Sequence, residues 1–480
     1  MNAPKFVIRN IRFFEREVKL RLPFRFGVVT LTQCPQVYVN VTLEFANSKR
    51  IQGCAAEMMV PKWFDKNKEL SNEENFNQLR KSLTITRDAY LSDLAPKNTW
   101  QYFSHYYASI IKEGEQHQLN HLTSNYGPAL IDRALIDALC HFLGINFYDA
   151  IHSNQIGLNA TELPQLTDLR DFDVSKFLSS LSCENRISAR HTVGLLDSLE
   201  ALNSGTDPTL NPKDNLPITL KQVVKTYGHR YYKLKVSGDF SSDIERLKQI
   251  APIIQDIAKG ITLDGNEQYS NPEAFLEFFH AFRAEQSLEA LFNKVIFIEQ
   301  PLHRDVTMHS NVVGISKYKP LLIDESDSDL DSFLKAIDLG YTGVSSKSCK
   351  GLYKSLINAA RTKQRNAASQ FNEISYFQSG EDLTMQAGVA VQQDLALVNL
   401  LGLRHVERNG HHYVNGMQGI PNAEQDAFLD LHPDLYTRDD SRVRLQIKQG
   451  EIDITSLRCK GFGTAVQGGG IDWNSFSHNY

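Results

Sequence analysis

Short apolar runs that each end in a charged side chain punctuate the second half of this chain. They are Tyr232-Lys233-Leu234-Lys235-Val236, Ile261-Thr262-Leu263-Asp264, Phe297-Ile298-Glu299 and Leu322-Ile323-Asp324, and a fifth run, Gly343-Val344-Ser345-Ser346, leads into Lys347. Runs of this length predict buried strands that deliver their last side chain to a polar site. Lys235 to Asp264 is 29 residues, Asp264 to Glu299 is 35, Glu299 to Asp324 is 25 and Asp324 to Lys347 is 23. Each interval accommodates one strand, one helix and two loops, the unit of parallel α/β sheets and barrels. The intervening sequence supplies the helices. Ile244, Leu247, Ile250, Ile253, Ile254 and Ile257 recur near a 3.6-residue period, and Asn271-Pro272-Glu273 offers a capping Asn with Pro at the first helical position. Ile187 to Val193 reads as the first barrel strand, Tyr376 to Ser379 as the seventh and His405 to Asn409 as the eighth. In a closed barrel, charged groups at the carboxyl ends of successive strands meet on one face.

Nearer the amino terminus, alternation around Val37-Tyr38-Val39-Asn40-Val41 predicts a strand pair, followed by helices as far as Tyr148-Asp149. Residues 156–186 are polar and irregular, residues 203–215 contain Gly205, Pro208 and Pro212 and read as a loop after the first barrel strand, and Gly468-Gly469-Gly470 predicts a flexible tail. A chain of 480 residues with 41% hydrophobic content can bury a large core. Its formal net charge of −5 gives no electrostatic reason to expect nucleic acid as a partner. The start, Met1-Asn2-Ala3-Pro4-Lys5, has no signal-type apolar stretch and no segment is apolar enough for a membrane span, so a cytoplasmic location is the expectation. Six scattered cysteines form no Cys-x-x-Cys pair and predict neither a zinc site nor a disulfide framework.

Singly, these motifs are ordinary: Lys-x-Lys occurs on exposed strands and Asp-Gly-Asn in turns. Together and in order, two lysines, three carboxylates and a further lysine are what metal-assisted proton abstraction beside a carboxylate requires. The constellation resembles the enolase superfamily, most closely the muconate lactonizing enzyme subgroup of the mandelate racemase/muconate lactonizing enzyme family. The resemblance rests on Lys233 and Lys235, Asp264 with Asn266, Glu299-Gln300-Pro301, Asp324-Glu325-Ser326 and Lys347. It extends to Pro23-Phe24-Arg25-Phe26-Gly27 with Thr30-Leu31-Thr32, like that family's capping segment, and to Arg133 through Leu139, like the helix leading from cap to barrel.

That resemblance implies an α/β fold: a modified, TIM-like (β/α) barrel over residues 156–420, with an α+β capping domain at 1–155 that the segment 421–480 rejoins. It implies Mg²⁺ held by Asp264, Glu299 and Asp324, with Asn266 steadying the metal shell, Lys235 and Lys347 as acid and base on opposite faces of the substrate, and Lys233 in electrostatic support. Two ammonium groups on one strand face repel, and this would lower the proton affinity of one of them. The implied reaction removes the proton α to a carboxylate through a metal-stabilised enediolate. Racemisation or epimerisation comes first. A syn-elimination of the o-succinylbenzoate synthase type or a cycloisomerisation is the alternative, and a non-catalytic binding protein on a decayed enzyme frame is the reading from another class.

The expected partner is a small carboxylate substrate, and symmetric self-assembly is left open. Arg25 and Thr30 in the cap, with Glu381, Glu407 and Asn409 at the last strands, are candidate substrate contacts. Asp382 shares the place of Glu381, and Trp63 either packs within the cap or lines its pocket. Dipeptide epimerases of this subgroup carry Asp-x-Asp near the eighth strand where this chain has Glu407 and Asn409, and Tyr376 to Asp382 contains no histidine, which disfavours acid-sugar chemistry. Lys350 rivals Lys347, but Lys347 ends the apolar run. His411 and His412 suggest a metal pair, although a surface turn after Asn409-Gly410 explains them more simply.

Overall fold

The computed structural model describes residues 3–27, 29–201, 212, 214–368, 374–439, 441–476 and 480. Most of the loop expected at 203–215 lies outside them. The amino-terminal region is an antiparallel sheet of three strands, β1 (Phe6–Phe26), β2 (Val29–Phe45) and β3 (Arg50–Met58), in the order β1-β2-β3. The expected strand pair is therefore a triplet. From Cys34 to Val41 every residue of β2 is buried, so this central strand is covered on both faces. The helix Tyr126–Leu143 lies against the sheet at Gly53, where a methyl group would stand 2.2 Å from the Ala134 carbonyl oxygen. Only a glycine permits that approach. The helices Asn72–Leu91 and Thr99–Gln116 complete the region, each opened by a capping box, Ser71 with Glu74 and Asn98 with Gln101.

Eight parallel strands follow: β4 (Arg186–Val193), β5 (Tyr231–Lys235), β6 (Gly260–Asp264), β7 (Val295–Glu299), β8 (Leu321–Ile323), β9 (Gly343–Ser346), β10 (Phe377–Gly380) and β11 (His405–Glu407). Each pairs with the next, and β11 pairs with β4 to close the ring. The protein is a (β/α) barrel with an antiparallel capping sheet. Helices surround the ring, including Phe240–Ile254 and Pro272–Ala284, the latter capped by Asn271, whose side-chain oxygen accepts the Ala274 N–H at 2.8 Å. The long step between Asp264 and Glu299 is taken up by that helix and two short turns, Gln286–Leu288 and Glu289–Asn293.

Two apolar clusters form the core. One runs from the capping sheet into the helices Leu352–Ala368 and Val389–Leu400 behind the last barrel strands; the other lies between β5 to β9 and their helices. The stretch 156–186, expected to be irregular, makes three short helical segments, and Leu163, Leu166, Leu169, Phe177 and Leu178 are buried there. After the barrel come a hairpin, β12 (Tyr436–Asp439) with β13 (Arg442–Leu445), and β14 (Glu451–Asp453), antiparallel to the start of β4. The chain then returns to the capping sheet. Phe462 stacks on Phe147 at 3.8 Å, and Trp473 meets Phe14. Gly468 and Gly469, expected in a flexible tail, are buried in left-handed conformation, with Gly469 directly against Cys54. Among the described residues no helix is long and apolar enough to cross a membrane.

Candidate active site

Strand alternation decides what enters the barrel. On β5, Tyr232 and Leu234 join the outer apolar layer while Lys233 and Lys235 turn inward. Asp264 ends β6, Glu299 ends β7, Asp324 follows β8, Lys347 follows β9, Glu381 follows β10 and Glu407 ends β11. All of them are buried. The Lys233 amino group sits at the centre, 2.8 Å from Asp264, 2.8 Å from Glu299, 2.9 Å from Glu381 and 3.0 Å from Glu407.

This arrangement reverses one expectation about charge. Burial disfavours the Lys233 ammonium, but Asp264, Glu299, Glu381 and Glu407 together outweigh it and hold the group protonated well above the ordinary lysine range. Repulsion from Lys235 does not govern it. Glu299 is pushed well up by burial and by Asp264 and Glu381, against the pull of Lys233. Asp264 and Asp324 are equally buried yet held down, Asp264 by Lys233 and Lys235 and Asp324 by Lys347 and Lys350.

Lys235 donates to Asp264 at 2.5 Å, and Lys347 donates to Asp324 at 2.6 Å while lying 4.3 Å above the Trp63 ring. β5 and β9 are four strands apart in a ring of eight, so these amino groups stand across the barrel from each other, with the three carboxylate strands on one arc between them. Lys350, the rival, also reaches Asp324 at 3.4 Å, but its shorter contacts are with Asp327 at 3.1 Å and the Ser345 hydroxyl at 2.6 Å, and it does not line the cavity beneath the cap. Ser345 in turn donates to Asp324, which accounts for polar residues at the end of this strand.

A cavity of about 20 Å³ separates these groups from the cap. Phe24, Phe26, Val60, Trp63 and Leu383 form its apolar wall, and Lys235, Lys347, Asn266, Asp382, Glu407 and Asn409 are among its polar lining. A void of that size holds little more than one water. Arg25 and Thr30 do not reach it. They face each other across the β1–β2 hairpin and are exposed, because Phe24 and Phe26 take the inward phase of the strand. Glu381 lies below the cavity, bonded to Lys233, Arg190 and Ser379. Glu407 accepts from Thr192 at 2.6 Å and Asn409 at 2.8 Å. Burial raises Asp382, beside Asn409, to about 6, against the pull of Arg408.

Asn266 and its surroundings explain two motifs. Its N–H donates to Asp264 at 2.8 Å, its side-chain amide donates to Glu325 at 3.3 Å, and its side-chain oxygen is buried without a partner. Its φ of 39° is left-handed, which Asn tolerates better than most residues. Gln300 accepts the Asp324 N–H at 2.8 Å and donates to Ser326 at 2.8 Å, so the Glu-Gln-Pro and Asp-Glu-Ser motifs lock each other in place. The cap is pinned above by Arg304, which donates to the Trp63 and Phe64 carbonyls and to Glu267. Arg190 and Arg304 gave no signal in the sequence; an arginine inside a barrel is visible only once its acidic partners are placed.

Three carboxylates at neighbouring strand ends and an orphaned amide oxygen suit a hard divalent cation. In this state ammonium groups stand between the carboxylates, and among the described residues these oxygens do not gather within 4.8 Å of one another as a ligand set. Asp264, Glu299 and Asp324 could hold such an ion with the lysine amino groups withdrawn.

Residues 217–405 match the family model for the enolase C-terminal domain-like fold. The matched segment runs from before β5 to the start of β11, so that part of the barrel is enolase C-terminal domain-like. No curated protein matches the sequence. Solved structures similar to this chain include muconate lactonizing enzyme from Pseudomonas fluorescens complexed with muconolactone, at 14% identity, TM-score 0.59, covering 95% of this chain and 96% of that one. An enolase from Bradyrhizobium complexed with magnesium and mandelic acid is 14% identical, with a TM-score of 0.58 and 96% of each chain covered. A dipeptide epimerase from Cytophaga hutchinsonii complexed with Mg and D-Ala-L-Val is 13% identical, with a TM-score of 0.53, covering 85% of this chain and 89% of that one.

Proposed function

We propose that this protein is an enzyme that moves the proton α to the carboxylate of a small acid, as a racemase or epimerase. The observation that carries the reading is the pair of amino groups, Lys235 and Lys347, facing one cavity from opposite sides of the barrel. Asp264, Glu299 and Asp324 would hold Mg²⁺, the ion named with two of the similar structures. When bound, it would neutralise charge gathering on the substrate carboxylate and take Asp264 and Asp324 from their lysines. With its carboxylate engaged elsewhere, buried Lys347 loses the main influence that holds its proton, while desolvation and the charge on Lys233 favour the neutral amine that a base must be. One lysine then accepts the α-proton and the other returns a proton to the opposite face, and Lys233 keeps its charge among Glu299, Glu381 and Glu407. Phe24, Phe26 and Trp63 exclude water above the reacting carbon.

The similarity to muconate lactonizing enzyme and the apolar cavity wall favour cycloisomerisation as a second reading, because the same two amines serve it. The test follows α-proton loss by NMR in D₂O with Mg²⁺ and a panel of small carboxylates. Exchange with inversion is expected, and a ring or alkene product would favour the second reading. Lys235→Ala and Lys347→Ala should each slow the reaction by a factor of about 10²–10⁴. Full activity in both variants would exclude a two-base site, and tight binding without exchange would mean a binding protein.

A further inference from the structure

A second cluster of metal-binding side chains lies outside the ring, at its closing seam. Strand alternation sends Arg190 and Thr192 of β4 into the barrel and His191 out of it. His229 precedes β5, and His411 and His412 lie in the turn Gly410–Tyr413 after β11. β4 has β5 on one side and β11 on the other, so three segments remote in sequence meet here. The two histidines expected on a surface turn are buried: His411 is 8% exposed, His412 3%, His191 2% and His229 0%.

One ligand nitrogen each from His191, His229 and His411 lies within 4.8 Å of the other two, the only such trio of His, Cys, Asp or Glu among the described residues. The Nδ1 of His229 is 3.1 Å from the Ala189 carbonyl oxygen, which only an N–H can satisfy, so the lone pair is on Nε2. That carbonyl contact is the usual way a ligating imidazole is oriented. Nε2 of His229 is 3.3 Å from Nε2 of His411. Two imidazole nitrogens on a tetrahedral ion at about 2.0–2.1 Å stand roughly 3.3 Å apart. Burial keeps the imidazoles neutral, with His229 pushed down to about 4. Nδ1 of His191 is buried without a hydrogen-bond partner. Arg21, whose charge acts on His411, is paired with Asp214 at 2.6 Å. His411 also borders a cavity of about 290 Å³.

We propose that His191, His229 and His411 bind a divalent transition metal of the zinc type, clasping the seam between β4, β5 and β11, with the fourth position filled from the adjoining cavity. Nitrogen donors without a carboxylate select such an ion over Mg²⁺, so this site is distinct from the acidic one inside the barrel. The competing arrangement is a bare hydrogen bond from His411 Nε2–H to the His229 lone pair.

The test loads chelator-stripped full-length protein with Zn²⁺ in excess Mg²⁺, desalts it and counts metal by elemental analysis. One zinc per chain is expected, with Co²⁺ in its place giving the visible absorption of a tetrahedral site. His229→Ala and His411→Ala should each weaken zinc binding roughly tenfold or more, while Asp264→Asn keeps it. Zinc that persists in His411→Ala and vanishes in Asp264→Asn would overturn the proposal. Should the histidine variants not fold, imidazole ¹⁵N resonances of the wild-type protein decide: displacement by Zn²⁺ supports the site, and unmoved resonances overturn it.

Discussion

Arg133 and Glu57 are both fully buried, with the guanidinium 3.1 Å from the carboxylate and the Ser348 hydroxyl donating to the same oxygen at 2.8 Å. Burial nevertheless raises Glu57 to about 7. Arg133→Met should destabilise the protein by about 3–5 kcal/mol near pH 8, because it leaves a lone charge inside. A carboxyl whose folded pKa exceeds its unfolded value near 4.5 contributes stability below that value and loses it as the pH rises through the folded pKa. The variant should therefore recover part of its loss at pH 5, read as urea midpoints at the two pH values. At this scale the sequence exposed the strand-end charges, because an apolar run that stops at Asp, Glu or Lys leaves that group only one place to go. It did not expose which hairpin residues face the site. Phe24 and Arg25 are neighbours, and the phase of β1 depends on a register visible only in the folded sheet. Phe26→Ala should accordingly alter the KM of whatever acid proves to be the substrate, and Arg25→Ala should leave KM and kcat within about twofold, since an exposed side chain away from the site usually changes little.

Elements were legible wherever one periodicity dominated. All eight barrel strands fell where the apolar runs placed them, whereas β1 was missed because Arg9, Arg12, Glu15, Arg16, Glu17 and Lys19 interrupt its pattern. Those side chains line a partly solvated face, and the buried face of Phe6, Ile8, Ile11 and Phe13 shows only when the two are separated. The polar stretch 156–186 concealed its leucines in the same way. Contact between elements is where a small change should matter most. A methyl group at Gly53 would meet the Ala134 carbonyl oxygen at 2.2 Å and the Ala138 nitrogen at 2.5 Å, backbone atoms of a helix that cannot step aside singly. Gly53→Ala should cost about 1–3 kcal/mol or more by overpacking, measured by denaturant unfolding, with the capping sheet rather than the barrel becoming more open to amide exchange.

Across the whole molecule, cap and barrel are tied by polar contacts around the site. His121 in the cap is 2.7 Å from Asp329 of the barrel and 2.9 Å from Glu115, and Asp329 above all raises its pKa to about 9. A histidine raised in the folded state contributes stability that is full below its unfolded value near 6.5 and fades as the pH climbs through about 9. His121→Gln should therefore lower the urea midpoint at pH 6 and leave it unchanged above pH 9.5. The barrel frame was legible at this scale because five motifs follow one another at the spacing of strand and helix. The histidine seam was not, since nothing in sequence brings His191, His229 and His411 together before the ring closes.

The edge of β4 carries a further consequence. Its partners are β5, β11 and, from the far end of the chain, β14, while the last turns press Gly469 onto Cys54 of the capping sheet. A ribosome must therefore release residues 451–453 before the first barrel strand acquires all its neighbours. Chains stalled before residue 451 would expose an unsatisfied strand edge and a bare sheet, surfaces that invite chaperones and self-association during synthesis.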